Sequence, residues 1–376
     1  MAENKTPKSV KTTKTAKAPK TVKSPRSVKT TKTIKTTKPA EEVKTVKAPK
    51  IVKSARSVKT LKTTRTKPVE SVKTVEVSKS TKVFDVDAYS PAQIASRIDA
   101  VATVKASYSS AQTFWMGVNA GVFIALGAQF ATLVISDSTL HFGLTAIIAG
   151  IVFSLGLILV VVGGAELFTG NSLIVIGYID KRVTTGEVLH NWSLSLIGNL
   201  VGSLILVYFM YQSHQWEFFN HMVGAKALLI ANKKVNLSFE AAFARGVLCN
   251  AMVCLAVWLC FSARNVTDKI ISLLFPVAGF IASGFEHCVA NMYFIPMGLV
   301  LRKNPEVVAA ANKMAGKSVN LTQLTWKGFF VNNQFPVMLG NILGGTILVG
   351  LAFWFVYLRP KITFSVNIKE DFKQGD

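Results

Sequence analysis

Apolar positions fall into long runs separated by short polar stretches, and the runs begin only after residue 110. A bilayer core needs about 20 predominantly apolar residues per helix. Six segments meet that length: Thr113–Ile135, Gly143–Ile179, Leu189–Tyr211, Phe239–Phe261, Ile270–Leu301 and Val337–Leu358. The second and fifth are too long for one straight span. Each is interrupted, at Gly163-Gly164-Ala165-Glu166 and at Gly284-Phe285-Glu286-His287. The pattern predicts an all-α polytopic membrane protein of six transmembrane helices whose second and fifth are broken, forming a six-helix body over 111–359. Ahead of it, Ser90-Pro91-Ala92-Gln93 fits a capping box with proline at the first helical position. Ile94, Ile98, Val101 and Val104 then recur at helical steps, giving an amphipathic helix within 90–110 that lies along the membrane or packs under the bundle.

The two interruptions match each other. Gly164-Ala165-Glu166 with Gly170-Asn171 aligns with Gly284-Phe285-Glu286 with Ala290-Asn291. Gly198-Asn199 with Gly202 in the third span aligns with Gly340-Asn341 with Gly344 in the sixth. Each half holds three spans, so the second half inserts upside down relative to the first. Broken helices at equivalent places in inverted repeats point to a solute path near the bilayer midplane. Irregular backbone is tolerated at that depth only where protein buries it or it lines a cavity. Gly117, Gly121 and Gly127, with Gly198 and Gly202, offer small faces for close helix contact.

Composition changes the picture at the N-terminus. The formal net charge is +23 over 376 residues, but residues 1–82 hold 24 of the 43 Lys and Arg and only 5 of the 20 Asp and Glu. That leaves 19 basic and 15 acidic residues after position 82. The stretch 1–82 has no Gly and no aromatic residue, and it repeats itself: Lys17–Thr33 and Lys47–Thr63 read almost alike. Such a segment has nothing to bury, so a disordered Lys-rich tail is expected. It suits anionic lipid or nucleic acid as a partner. This distribution excludes a uniformly basic nucleic-acid-binding globule and one large soluble domain. An even span count with a basic tail places both termini, including a short C-terminal tail over 360–376, in the cytoplasm. The loops alone run against that rule, since Lys226, Lys233 and Lys234 fall on the side assigned outside.

The broken helices carry the candidate chemistry. An ionisable side chain inside a membrane is a functional candidate by default. Glu286 beside His287 reads as a compensated pair, with His287 free to offer a proton or an N–H to an anion. Glu166, Glu286, Asn171 and Asn291 read as residues that tie down the unwound backbone. Asn250 is either a second donor to the site or a helix-packing residue. Cys249, Cys254, Cys260 and Cys288 all fall in apolar spans and suggest no disulfide framework. No metal-ligand spacing, phosphate loop, dinucleotide fingerprint or Ser/His/Asp arrangement stands out, so no cofactor and no enzyme activity is expected.

Gly163–Gly170, Gly246–Ala256, and Gly284-Phe285-Glu286-His287 followed by Ala290-Asn291-Met292 resemble three signatures of the formate/nitrite transporter family. The resemblance covers about Ser90 to Leu358. It implies an aquaporin-like fold, a homopentamer with one pore per protomer, and passage of formate, nitrite, acetate, lactate or hydrosulfide, often with a proton. By position it makes His287 the central pore histidine with Asn250 as neighbour and puts Thr169 on the loop that breaks the second helix. Phe153 and Phe280 would form an outer constriction. Leu157, Leu167, Phe168, Val253 and Ala290 would line an inner one. Lys234 matches the lysine that draws anions into the outer vestibule, although Asn232 and Lys233 depart from the local family pattern. Two alternatives stand beside this reading. An aquaporin-like neutral-solute channel would carry Asn-Pro-Ala at both breaks, and neither break has it. A membrane anchor for the basic tail is the other. A plasma or inner membrane is the expected location.

Overall fold

The computed structural model describes residues 87–359, and the expected tails over 1–82 and 360–376 lie outside them. The described residues contain helices and no strands. Among the described residues, five helices are long and apolar enough to cross a membrane: α2 (Ser110–Ile135), α3 (Phe142–Gly163), α5 (Thr185–Gln212), α7 (Phe239–Ser262) and a composite Gly328–Tyr357. The expected second span continues past α3 into a 3-10 turn, Gly170–Ile174, and the short α4, Val175–Ile179. The expected fifth span is two helices, α8 (Val266–Ala282) and α9 (Cys288–Leu301), with the break between them. Exposed apolar side chains such as Phe142, Phe275 and Trp115 stud the outer faces, as suits helices whose solvent is lipid.

Two expectations shift. The sixth span begins at Gly328 rather than Val337. Its first turns are wide π turns over Gly328–Gln334, and they carry the polar but fully buried Asn333, which hid them from a hydropathy reading. The buried stripe of α1 (Pro91–Ala106) is Ile94, Ala95, Ile98, Asp99 and Ala102, whereas Val104 is 50% exposed. Val101 and Lys105 instead face a cavity. The capping box forms as read: Ser90 accepts from the Gln93 amide, and Gln93 Oε1 accepts from the Ser90 amide at 2.8 Å. The buried face of α1 packs on the segment after the first break, through Leu173 and Ile176, and on Cys254 and Trp258 of α7.

The helices pair in an order that repeats. α2 packs on α5, and α7 packs on the composite helix through its Phe335–Leu343 section. Glycine permits both approaches. A Cβ on Gly202 would collide with the Val118 carbonyl, and one on the equivalent Gly344 would collide with the Val247 carbonyl. At each break the chain turns through a left-handed glycine, Gly164 at φ 77° and Gly284 at φ 67°, a conformation that other residues adopt only with strain.

One asparagine then satisfies the freed backbone at each break. Asn199 Nδ2 donates to the carbonyls of Gly117 (2.8 Å) and Glu166 (2.9 Å), and its Oδ1 accepts from the Phe168 amide (3.0 Å). Asn341 Nδ2 donates to the carbonyls of Gly246 (2.8 Å) and Glu286 (3.0 Å), and its Oδ1 accepts from the Cys288 amide (2.9 Å). Without these bonds the orphaned amides and carbonyls would each cost several kcal/mol in a dry bilayer.

Candidate functional site

Each broken helix carries its carboxylate into a buried cluster. Glu286 takes both carboxylate oxygens to Lys234 Nζ, at 3.0 and 3.1 Å, and accepts from Asn291 Nδ2 (2.8 Å) and Asn333 Nδ2 (3.3 Å). Lys234 comes from α6, Phe218–Val235. Glu166 repeats the arrangement with Lys105 of α1, Asn171 Nδ2 (2.7 Å) and Asn191 Nδ2 (3.2 Å). In both clusters the two asparagines also bond to each other, Asn171 Nδ2 to Asn191 Oδ1 and Asn291 Nδ2 to Asn333 Oδ1. A buried carboxylate needs such partners, because an uncompensated charge there costs several kcal/mol. The compensation of Glu286 therefore comes from Lys234 and two asparagines, not from the adjacent His287.

His287 is instead the N-cap of α9. Its Nδ1 accepts from the Ala290 amide at 3.1 Å, and its Nε2 lies 2.9 Å from Thr169 Oγ1 on the other broken helix. An acceptor Nδ1 carries no proton, so this geometry assigns the neutral tautomer with an Nε2–H aimed at Thr169. Thr169 is held in turn by Asn250, whose Nδ2 reaches the Thr169 carbonyl (3.1 Å), Ser172 Oγ (3.1 Å) and the Asn341 carbonyl (2.7 Å). The donors of Asn250 are thus spent on the protein, while its buried Oδ1 has no partner.

One cavity lies at each helix break. The first, about 380 Å³, is bounded by Phe153, Phe285 and Phe294 with Lys226, Lys233, Lys234, Arg245 and Glu286. The second, about 240 Å³, is bounded by Leu157, Leu167, Val101 and Met116 with Lys105, Glu166 and Asn171. Phe153 and Phe280 meet edge to face at 6.0 Å, and Phe280 stacks on the His287 ring at 6.2 Å. Contact at that spacing leaves no water-wide gap. Phe168 packs edge-on against Trp192 at 6.1 Å, away from either cavity lining, and Val253 and Ala290 are buried in the main core.

The site holds residues that a reading of the chain passes over, Lys105, Asn191 and Asn333, and it draws in Lys226 and Arg245, which the chain shows only as charges beside the spans. A signal for the first three was present. Lys105 precedes the N-cap Ser109 by four residues, as Lys234 precedes the N-cap Ser238, and Asn191–Asn199 has the eight-residue spacing of Asn333–Asn341. Among the described residues no group of three or more His, Cys, Asp or Glu is arranged to hold a metal.

Known proteins share this architecture. The family model of formate/nitrite transporters matches residues 92–355. The chain is 42% identical over 272 residues to formate channel FocA of Escherichia coli strain K12, covering 72% of this chain and 94% of that protein. It is 34% identical over 287 residues to a probable formate transporter of Methanothermobacter thermautotrophicus, covering 72% of this chain and 97% of that protein. A solved pentameric formate channel with formate bound superposes with a TM-score of 0.60 at 39% identity, covering 66% of this chain and 98% of that one. The relatives are named as channels and transporters rather than enzymes. The chain belongs to the formate/nitrite transporter family.

Proposed function

We propose that the protein passes small monovalent anions of the formate class across a membrane, each neutralised by a proton as it crosses, through one path in each protomer of a homopentamer. The observation that carries this reading is the His287–Thr169 pair, a polar donor set at the meeting of two broken helices, each of which borders a cavity at its break. The family's named formate channels supply the substrate class.

The chemistry follows from the barrier. A bare anion moved into apolar surroundings faces an idealised Born cost of order 20 kcal/mol. The Phe153–Phe280 contact is such a barrier. A weak acid avoids most of that cost by crossing in its neutral form. Cations lining the first cavity raise the local anion concentration. Lys234 is tied to Glu286, so Lys226, Lys233 and Arg245 share that role. Beyond the aromatic pair, the Nε2–H of His287 and the hydroxyl of Thr169 receive the oxygen atoms, aided by the positive N-terminal end of α9. The His287 ring acts as a hydrogen-bond donor, since charging it would cost the cap bond at Nδ1. The proton therefore arrives with the anion through the cavity.

We place the protein in a plasma or inner membrane with both termini cytoplasmic, and we assign the Lys-rich tail a contact with anionic lipid or nucleic acid outside the transport path. Uptake of labelled formate, acetate, lactate and nitrite into proteoliposomes tests the reading. Flux of weak monoacids is expected, and it should survive deletion of residues 1–82. No anion flux, or flux indifferent to the identity of the weak acid, contradicts it.

A further inference from the structure

The internal repeat makes the two cavities counterparts. Ile230, Lys234, Gly284, Phe285 and Glu286 line the first where Val101, Lys105, Gly164, Ala165 and Glu166 line the second. The register is fixed by the backbone: the Glu286 amide donates to the Arg245 carbonyl (3.3 Å), and the Glu166 amide donates to the Met116 carbonyl (3.2 Å). The charges, however, are not counterparts. Arg245 stands where the other half has Met116, and Lys233 stands where it has Val104. Lys226 stands where it has Arg97, whose guanidinium stacks on Tyr89 at 3.9 Å. The second cavity balances Lys105 against Glu166. The first sets Lys226, Lys233, Lys234 and Arg245 against Glu286 alone, a surplus of three positive charges.

That surplus has no partner within the described residues. No carboxylate or hydrogen-bond acceptor meets the Lys226 or Lys233 ammonium or the Arg245 guanidinium, and Glu286 is committed to Lys234, Asn291 and Asn333. Lys226, Lys233 and Ile230 share one face of α6, spaced at four and seven residues, so both ammonium groups look into the same space. Burial lowers the pKa of Lys226, outside the membrane-spanning helices, as expected of a cation waiting for a counter-charge. Attraction of one monovalent anion needs no such excess. Three monoanions would balance it, but a single di- or trivalent anion offsets most or all of it while immobilising one molecule. A volume of about 380 Å³ is in the range of small-molecule sites.

We propose that the first cavity is a binding site for a small multivalent oxyanion, a di- or tricarboxylate or phosphate, which sits at the mouth without crossing and blocks monoanion flux from that side. One proton does not neutralise such an ion, so the Phe153–Phe280 contact still excludes it. This inference rests on the transport path proposed above for its blocking effect, but not for binding. Citrate and inorganic phosphate, titrated calorimetrically into the purified full-length protein in low-chloride buffer, test binding without any transport assay. Saturable binding of either ion at one per protomer is expected. Arg245→Met and Lys233→Val, which install the residues of the other half, should each weaken it about tenfold or more, while Arg245→Lys retains most of it. Gel filtration of each variant confirms assembly. In proteoliposomes the bound ion should slow labelled formate uptake when added on one face only. Absence of binding by both ions, unchanged affinity in both charge-removing variants, or equal block from both faces overturns the proposal.

Discussion

His287 Nε2 lies 2.9 Å from Thr169 Oγ1, and this contact joins two helix breaks 118 residues apart in the chain. The ring's other nitrogen is fixed by the Ala290 amide, so the orientation of the Nε2–H is set by secondary structure rather than by the ligand. Thr169→Val keeps the shape and removes the hydroxyl, leaving a buried N–H without its partner. The cost is about 1–3 kcal/mol of stability. Formate uptake is expected to fall about tenfold or more, because a donor to the crossing acid is gone, while Thr169→Ser keeps most of it. Initial uptake rates and thermal unfolding of the two variants check both parts.

The Lys234–Glu286 pair is nearly buried, with 14% and 5% side-chain exposure. Removing one partner of a buried pair costs about 3–5 kcal/mol, whereas removing both is far milder. Lys234→Met alone should therefore lower the unfolding temperature more than Lys234→Met combined with Glu286→Gln. The repeat extends the expectation to Lys105 and Glu166. Additive losses in the double variant would show that the pair does not act as a unit.

A pH effect should arise under α1. Asp99 is buried against Arg182 at 2.9 Å; burial raises its pKa, Arg182 lowers it and Asp180 raises it. Arg182→Met would raise the folded-state value further above the unfolded one. A group with a raised folded pKa gives its full stabilisation at low pH and loses it as pH rises through the folded value. The variant's deficit relative to wild type should therefore be larger at pH 8 than at pH 5. Thermal unfolding at the two pH values checks the sign.

Gly202 and Gly344 meet the carbonyls of Val118 and Val247, one from each repeat. Leucine at either position should prevent the helix pair from closing and abolish assembled protein in a membrane extract. A variant that assembles normally at one position and fails at the other would show that the two halves are not packed alike.

Much of this was legible in the chain, and the reasons differ by residue. Gly164 and Gly284 announced the breaks because they sit inside apolar runs too long for one span. Glu166, Glu286, Asn171 and Asn291 stood out as polar residues inside apolar runs, but the task expected of them, tying down the unwound backbone, falls to Asn199 and Asn341, while they form side-chain clusters with Lys105 and Lys234. Lys105 did not, since a lysine on an amphipathic helix usually faces water. Asn333 was hidden in a polar stretch that reads as loop, although the cluster around Glu286 buries it completely. The partner of Glu286 was misread as His287 because adjacency in sequence says little about side-chain direction at a break. The charge difference between the cavities is a property of the fold, since Lys226, Lys233 and Arg245 come from two different helices and share one space only once these pack together.

Neutralisation of the anion at the aromatic contact is the central claim, and its most direct test is labelled formate uptake into proteoliposomes with pH gradient and membrane potential imposed separately. An inward proton gradient should accelerate uptake in the wild type, a potential of either sign should leave it unchanged, and His287→Ala should alter the rate, pH dependence or selectivity. Uptake that follows the potential and ignores the pH gradient would contradict the account.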